Sequence, residues 1–197
     1  MRITLIDLKG GTGKTTSAVY LARGLSDSGR TLLIDMEAYG SALSWSESAQ
    51  DLPFTTIQMP VKDLHKRIDD LATGYDHVVI DTPAIVRPIA RSALMSAQHA
   101  IIPISPSLLD IDRLNETLDL IEEVEHMNDL TRSILLTRVR RGTKSARATR
   151  EALSEMDMHV LNAEIPLLES YAGAAGTNPS NLGEYADVLT EIRGLVQ

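Results

Sequence analysis

Residues 2–25 read RITLIDLKGGTGKTTSAVYLARGL, and their reading decides the fold. An apolar run suited to a buried strand passes into a glycine-rich loop and then into an amphipathic helical pattern. Strand, glycine loop and helix in that order are the context a phosphate-binding loop requires. Gly10, Gly11 and Gly13 remove side chains, so that backbone N–H groups can converge on phosphate oxygens. A helix beginning near Lys14 aims its N-terminal dipole at the same anion. Lys14 adds a point charge for the β- and γ-phosphates, and the Thr15 hydroxyl suits magnesium. Thr16 offers a further hydroxyl to phosphate. The common form of this loop, G-x-x-x-x-G-K-[ST], would place glycine at position 8. Leu8 stands there instead, and a second lysine, Lys9, opens the octamer KGGTGKTT at 9–16.

Outward from the loop, short apolar runs alternate with helical patterns. The runs are Ile3–Ile6, Thr31–Ile34, Phe54–Ile57, His77–Ile80, Ala100–Ile104, Ser133–Thr137 and Val160–Ile165. Amphipathic stretches lie near 15–27, 61–72, 87–97, 110–127, 146–156 and 182–196. Strands separated by helices predict an α/β fold with a mostly parallel central sheet and helices on both faces. Parallel strands are buried on both faces, so their runs are continuous rather than alternating. We read residues 1–197 as a single P-loop NTPase domain, with 172–181 a loop entering the last helix.

Composition narrows the function. The chain has 197 residues, 43% hydrophobic and 23% charged, with formal net charge −8. That average argues against a uniformly basic nucleic-acid coat protein. There is no cysteine, which excludes disulfides, thiolate zinc and cysteine-ligated iron–sulfur clusters. One Trp, one Phe and five Tyr are few for a single-strand stacking platform. The five histidines show no metal-ligand spacing. No apolar run is long enough to span a bilayer, and no signal peptide is legible. No membrane partner and a cytoplasmic location are therefore the expectation.

The octamer KGGTGKTT resembles the deviant Walker A motif of the ParA/MinD family of ATPases, and the short length of the chain most resembles the small plasmid-partition ParA proteins. LLIDMEAYGSALSW at 32–45 resembles that family's first switch, usually an aliphatic run followed by D-x-D-P-Q. HVVIDTPA at 77–84 resembles its Walker B and second switch, and AIIPISPSLLDIDRL at 100–114 the segment after the next strand, with Asp110. The resemblance implies ATP and magnesium as ligands. It implies a nucleotide set of Lys9, Gly10, Gly11, Thr12, Gly13, Lys14, Thr15, Thr16 and Asp81. Magnesium would be held by Thr15 directly and by Asp35 and Asp81 through water. Lys9 would reach across a homodimer to the partner's nucleotide. Glu37, in place of the family's second switch Asp, would orient the attacking water. Catalysis would thus rest on Lys9, Lys14, Asp35 and Glu37. Ala38 and Tyr39 replace the usual Pro and Gln, and Glu37 adds a methylene, so slow hydrolysis is expected. The only [NT]-K-x-D candidate for a guanine reader, Thr143-Lys144-Ser145-Ala146, lacks the Asp. The base pocket is expected near Thr137–Val139 and the segment after Pro103.

Charge is uneven along the chain. Residues 131–150 hold Arg132, Arg138, Arg140, Arg141, Lys144, Arg147 and Arg150 with no acidic residue, leaving −15 for the rest. Such asymmetry points to a polyanion partner. Arg140, Arg141, Lys144, Arg147 and Arg150 are the candidate DNA-phosphate contacts, and a helix would put Arg140, Lys144 and Arg147 on one face unless Gly142 breaks it. A solvated basic face is the plainer alternative. Family members often carry a basic residue where Leu167 and Leu168 stand, which weakens any DNA role after Pro166. Together the resemblance implies a partition ATPase that binds nonspecific DNA in its ATP state, associates with the nucleoid, and works with a small ParB-like adaptor. The alternatives are the same machine positioning non-DNA cargo or assisting conjugative transfer, and a biosynthetic ligase resembling dethiobiotin synthetase. The last would not need Lys9. The acidic final helix, with Glu184, Asp187 and Glu191 against Arg193, does not suit a membrane anchor.

Overall fold

The computed structural model describes residues 1–196, leaving aside the side chains at 108–110, 112 and 113. The strands are β1 (Arg2–Leu5), β2 (Thr31–Asp35), β3 (Thr55–Gln58), β4 (His77–Asp81), β5 (His99–Ile104), β6 (Thr131–Val139) and β7 (Val160–Pro166). They form one seven-stranded sheet in the order β3-β2-β4-β1-β5-β6-β7. Every pairing in it is parallel. Each apolar run predicted as a strand contributes one.

The helices are α1 (Lys14–Leu25), α2 (Ser41–Ser48), α3 (Ile68–Leu71), α4 (Arg87–Leu94), α5 (Leu108–Glu125), α6 (Lys144–Glu155), α7 (Glu169–Ala172) and α8 (Tyr185–Leu195). They cover both faces of the sheet. On one face Leu21 and Leu25 of α1 and Val188 and Ile192 of α8 pack with Leu33, Val79, Ile101 and Leu135. On the other, Leu94, Ile121, Val124 and Leu153 pack with Ile102, Ile134 and Leu136. Neighbouring residues of one strand thus feed opposite layers. Leu33 joins the first cluster, while Leu32 and Ile34 join a third with Leu64 and Ile68.

Two elements differ from expectation. The pattern at 61–72 is a 3-10 turn over Leu64–Lys66 followed by α3, because Arg67 at φ −120°, ψ −10° breaks helical continuity. The stretch SALSWSES forms α2, started by Gly40 in the left-handed region at φ 67°. Asp110 lies in α5, and its side chain is outside the described set.

Parallel register brings the functional loops to one end of the sheet. Leu5 and Asp35 both lie opposite Asp81, and Asp35 also lies opposite Gln58. The segments after β1, β2 and β4 therefore leave the sheet side by side.

Candidate nucleotide site

The loop after β1 takes a shape that its glycines permit. Gly11 and Gly13 sit at φ 79° and 94°, in the left-handed region that disfavours other residues. Gly13 starts α1, and its carbonyl accepts the N–H of Ser17 at 2.9 Å. The loop is braced from three sides. The Lys9 N–H donates to Asp7 Oδ1 at 2.9 Å, and the Leu8 N–H to Thr117 Oγ1 at 3.1 Å. Thr137 Oγ1 donates to the Thr12 carbonyl at 2.8 Å. Lys14 folds back so that its ammonium donates to the Lys9 carbonyl at 2.8 Å. Burial pulls the Lys14 pKa down, while the carboxylates of Asp7, Asp81 and Glu37 oppose that fall.

Beneath the loop lies a carboxylate with an unmet need. Asp81 is 1% exposed. Its Oδ2 accepts the Thr15 hydroxyl at 2.7 Å, while its buried Oδ1 has no hydrogen-bond partner among the described residues. Burial first, with Asp35 and Glu37 adding to it, pushes the Asp81 pKa up to about 7, against the pull of Thr15 and Lys14. A buried carboxylate oxygen without a partner calls for a cation or an ordered water. Thr15 and Asp81 together fit the hard oxygen donors that magnesium takes.

Asp35 is fully buried and already occupied. Its Oδ1 accepts the Glu37 N–H at 2.8 Å, and its Oδ2 accepts those of Ala42 and Leu43 at 2.8 and 3.0 Å. It satisfies orphan donors at the start of α2 and fixes the loop between β2 and α2. Its proximity to Asp81 shows in the electrostatics of that residue, but its first visible task is structural. Glu37 is half-buried and accepts a hydrogen bond from the Ser41 hydroxyl.

A cavity opens beside Gly13 and Thr16, lined also by Thr137, Arg138, Ile165, Pro166, Leu168 and Tyr171. Thr137 and Arg138 fall where a base pocket was expected. The opposite wall is the chain after β7, and the segment after Pro103 supplies none of the described lining residues. Three tyrosines stiffen that wall. Tyr20 stacks on Tyr185 at 4.7 Å between centroids, and Tyr171 meets both edge-on. Tyr185 shares a 3.0 Å hydrogen bond with Ser17 of α1, and the Tyr171 hydroxyl donates to Glu184.

The sequence matches the model of the CobQ/CobB/MinD/ParA nucleotide-binding domain over residues 3–180. The chain belongs to this family. Among relatives of this CobQ/CobB/MinD/ParA member is the Maintenance of carboxysome distribution protein A of Gloeobacter kilaueensis, 34% identical over 139 residues, 70% of this chain. Another is the chromosome-partitioning ATPase Soj of Thermus thermophilus, 29% identical and aligned with 62% of this chain. Each alignment takes in 62% of the relative's own length. The fold also superposes on a plasmid partition protein of Borrelia burgdorferi solved with AMPPNP, with TM-score 0.79 and 21% identity over 99% of this chain and 98% of that one.

In this family member the basic strip is divided. Left-handed Arg138, at φ 53°, sits at a register shift within β6, Gly142 at φ 75° turns the chain after the strand, and Thr143 caps α6 by accepting the Ala146 N–H. Gly142 therefore does break the helix. Arg140 and Arg141 stand in the turn, off the helical face that Lys144 and Arg147 share. Arg141 pairs with Glu184 and Arg150 with Glu164, each at 2.7 Å, and Arg132 with Glu125 at 2.9 Å. Arg140, Lys144 and Arg147 are exposed and form no ion pair among the described residues.

Two contributors carry little signal in the sequence. Asp7, 4% exposed, anchors the loop backbone and sits in the field of Lys14, with burial raising its pKa. Its one mark is a carboxylate inside an otherwise apolar strand end. Tyr171 and its neighbours have no such mark, because only the fold returns them to α1. Among the described residues no helix is long and apolar enough to cross a membrane.

Proposed function

We propose that the chain is an ATPase that binds ATP with magnesium, closes into a homodimer on it, and positions a cargo by switchable, nonspecific contact with DNA. The observation that carries this is the Thr15–Asp81 pair with its unpartnered buried oxygen, set under a glycine loop that holds Lys9 and Lys14. Magnesium, when bound, neutralises charge on the phosphates and the leaving oxygen. Thr15 and Asp81 would hold it. Lys14 moves its ammonium from the Lys9 carbonyl to phosphate, and the loop N–H groups from Gly10 to Thr16 cradle the same oxygens. Glu37 orients the attacking water, and Lys9 completes the charge clamp from the partner subunit. The base lies in the cavity between Thr137 and Tyr171, and Asp35 keeps the switch loop in register.

Phosphate release in ATP and magnesium tests this. Lys14→Ala should lose both binding and turnover, and Glu37→Gln should bind ATP yet turn it over at least 100-fold more slowly. A Glu37→Gln protein with wild-type turnover would remove Glu37 from the role.

For the cargo, plasmid or chromosomal DNA with a ParB-like adaptor is the first reading. The exposed trio Arg140, Lys144 and Arg147 supports it, as does the likeness to partition proteins. Such a protein would be cytoplasmic and nucleoid-associated in its ATP state. A non-DNA cargo, such as a protein assembly, is the second reading, supported by the likeness to carboxysome-distribution proteins. Pull-down of a candidate adaptor in ATP and in ADP separates them by what is captured.

A further inference from the structure

The residue meant to orient water sits in the short loop between β2 and α2, which hydrogen bonds rather than apolar packing hold in place. Tyr39 is 94% exposed and gives the loop no apolar anchor. Gly40, at φ 67°, adds backbone freedom. Yet the Glu37 peptide is held at both ends. Its N–H donates to Asp35 Oδ1 at 2.8 Å. Its carbonyl accepts Gln58 Nε2 at 2.9 Å, and the same amide nitrogen donates to the Ala38 carbonyl at 3.1 Å. Two carbonyl acceptors fix which end of the Gln58 amide faces the loop. Gln58 ends the edge strand β3 directly opposite Asp35, so the two clamps lie at one register level on neighbouring strands. Gly40 is shaped to this clamp, since a Cβ there would come within 2.8 Å of Gln58 Nε2.

We infer that Gln58 is a positioning residue for hydrolysis: its side-chain amide bridges the Glu37 and Ala38 carbonyls and so sets where the Glu37 carboxylate can reach. Asp35 fixes the amide before Glu37, and Gln58 together with the Gly40 N–H, which reaches the same oxygen at 3.1 Å, fixes the carbonyl after it, leaving the side chain's own torsions as the main freedom. Ser41 then restrains the carboxylate through its hydroxyl. Among the described residues Gln58 hydrogen-bonds through its side chain to Glu37 and Ala38 and does not line the cavity, so its effect passes through Glu37. This inference rests on the water-orienting role proposed for Glu37.

The test is steady-state ATP turnover in magnesium for wild type, Glu37→Gln, Gln58→Met and Gln58→Lys. Gln58→Met keeps the length and removes the donor; Gln58→Lys restores a donor on a flexible stem. Displacement of a catalytic group by about 1 Å costs on the order of 100-fold, so Gln58→Met should lower kcat roughly 10- to 100-fold with KM unchanged. Gln58→Lys should recover most of that loss. Because Gln58 is exposed on an edge strand, the thermal midpoint of Gln58→Met should match wild type. Wild-type kcat in Gln58→Met beside an inactive Glu37→Gln overturns the positioning role and leaves Glu37 in place. A raised KM with unchanged kcat overturns it too, making Gln58 a binding residue. An unimpaired Glu37→Gln overturns both readings together.

Discussion

Replacing Asp81 by Asn should make the ligand-free protein more stable, by an amount that grows as pH rises from about 4 to about 7 and then stays constant. In the fold the Asp81 pKa stands at about 7 against an ordinary 3.8, mainly because the carboxylate is buried. Below pH 3.8 the group is protonated in both states and contributes nothing. Between there and pH 7 the unfolded chain has released its proton while the folded one retains it, so stability falls as pH rises. Above pH 7 the penalty is complete and constant. At 1.36 kcal/mol per pK unit it amounts to roughly 4 kcal/mol. Asn keeps the shape and an acceptor for Thr15 but carries no charge. Asp81→Asn should therefore gain up to roughly 4 kcal/mol at pH 8, about 8–16 °C in thermal midpoint for a chain of this size, and about 1 kcal/mol or less at pH 4.5. Paired thermal and urea unfolding of both proteins at the two pH values reads this directly. The stabilised variant should also lose magnesium-dependent nucleotide binding, the usual opposition of stability and function at a site. A pH-independent difference, or an Asp81→Asn protein less stable at pH 8, would refute the reasoning.

Two further outcomes follow from the same geometry. Asp35→Ala strips three backbone N–H groups of their acceptor, two at the start of α2 and that of Glu37 in the loop before it, and should cost about 2–4 kcal/mol in chemical denaturation. Trp45 on α2 donates to the Thr177 carbonyl at 2.8 Å and is 7% exposed, so its emission should shift to the red in that variant. If the proposed DNA contact holds, replacing Arg140, Lys144 and Arg147 together by Ala should weaken binding to DNA in ATP and lower the salt slope by about 0.9 for each phosphate no longer neutralised, measured by titration at several salt concentrations. Arg150→Ala, which breaks the pair with Glu164, should change that slope far less.

The phosphate loop and the strand positions were legible because each rests on local rules. Positive φ needs glycine, and buried parallel strands need unbroken apolar runs. What stayed hidden depended on partners distant in sequence. The family resemblance implied for Asp35 a place near magnesium through water, and only the fold shows the further task of its oxygens, which accept from Glu37, Ala42 and Leu43. The helix α2 is short and rich in serine, so it carried no helical signal. The basic strip overstated its free charge, since Glu164 and Glu184 neutralise Arg150 and Arg141 from other elements. The wall of the cavity came from Ile165 to Tyr171 because α7 folds back on α1, a tertiary fact that no window of sequence contains. Gln58 was invisible for the same reason, being defined by its register with Asp35.

The most direct measurement is the solution mass of Glu37→Gln protein by light scattering in magnesium with ATP or ADP. The mass should double in ATP alone, and the additional change Lys9→Ala should hold it at the monomer value. A monomer in ATP, or a dimer indifferent to both nucleotide and Lys9, would contradict an ATPase that works by closing two copies around its nucleotide.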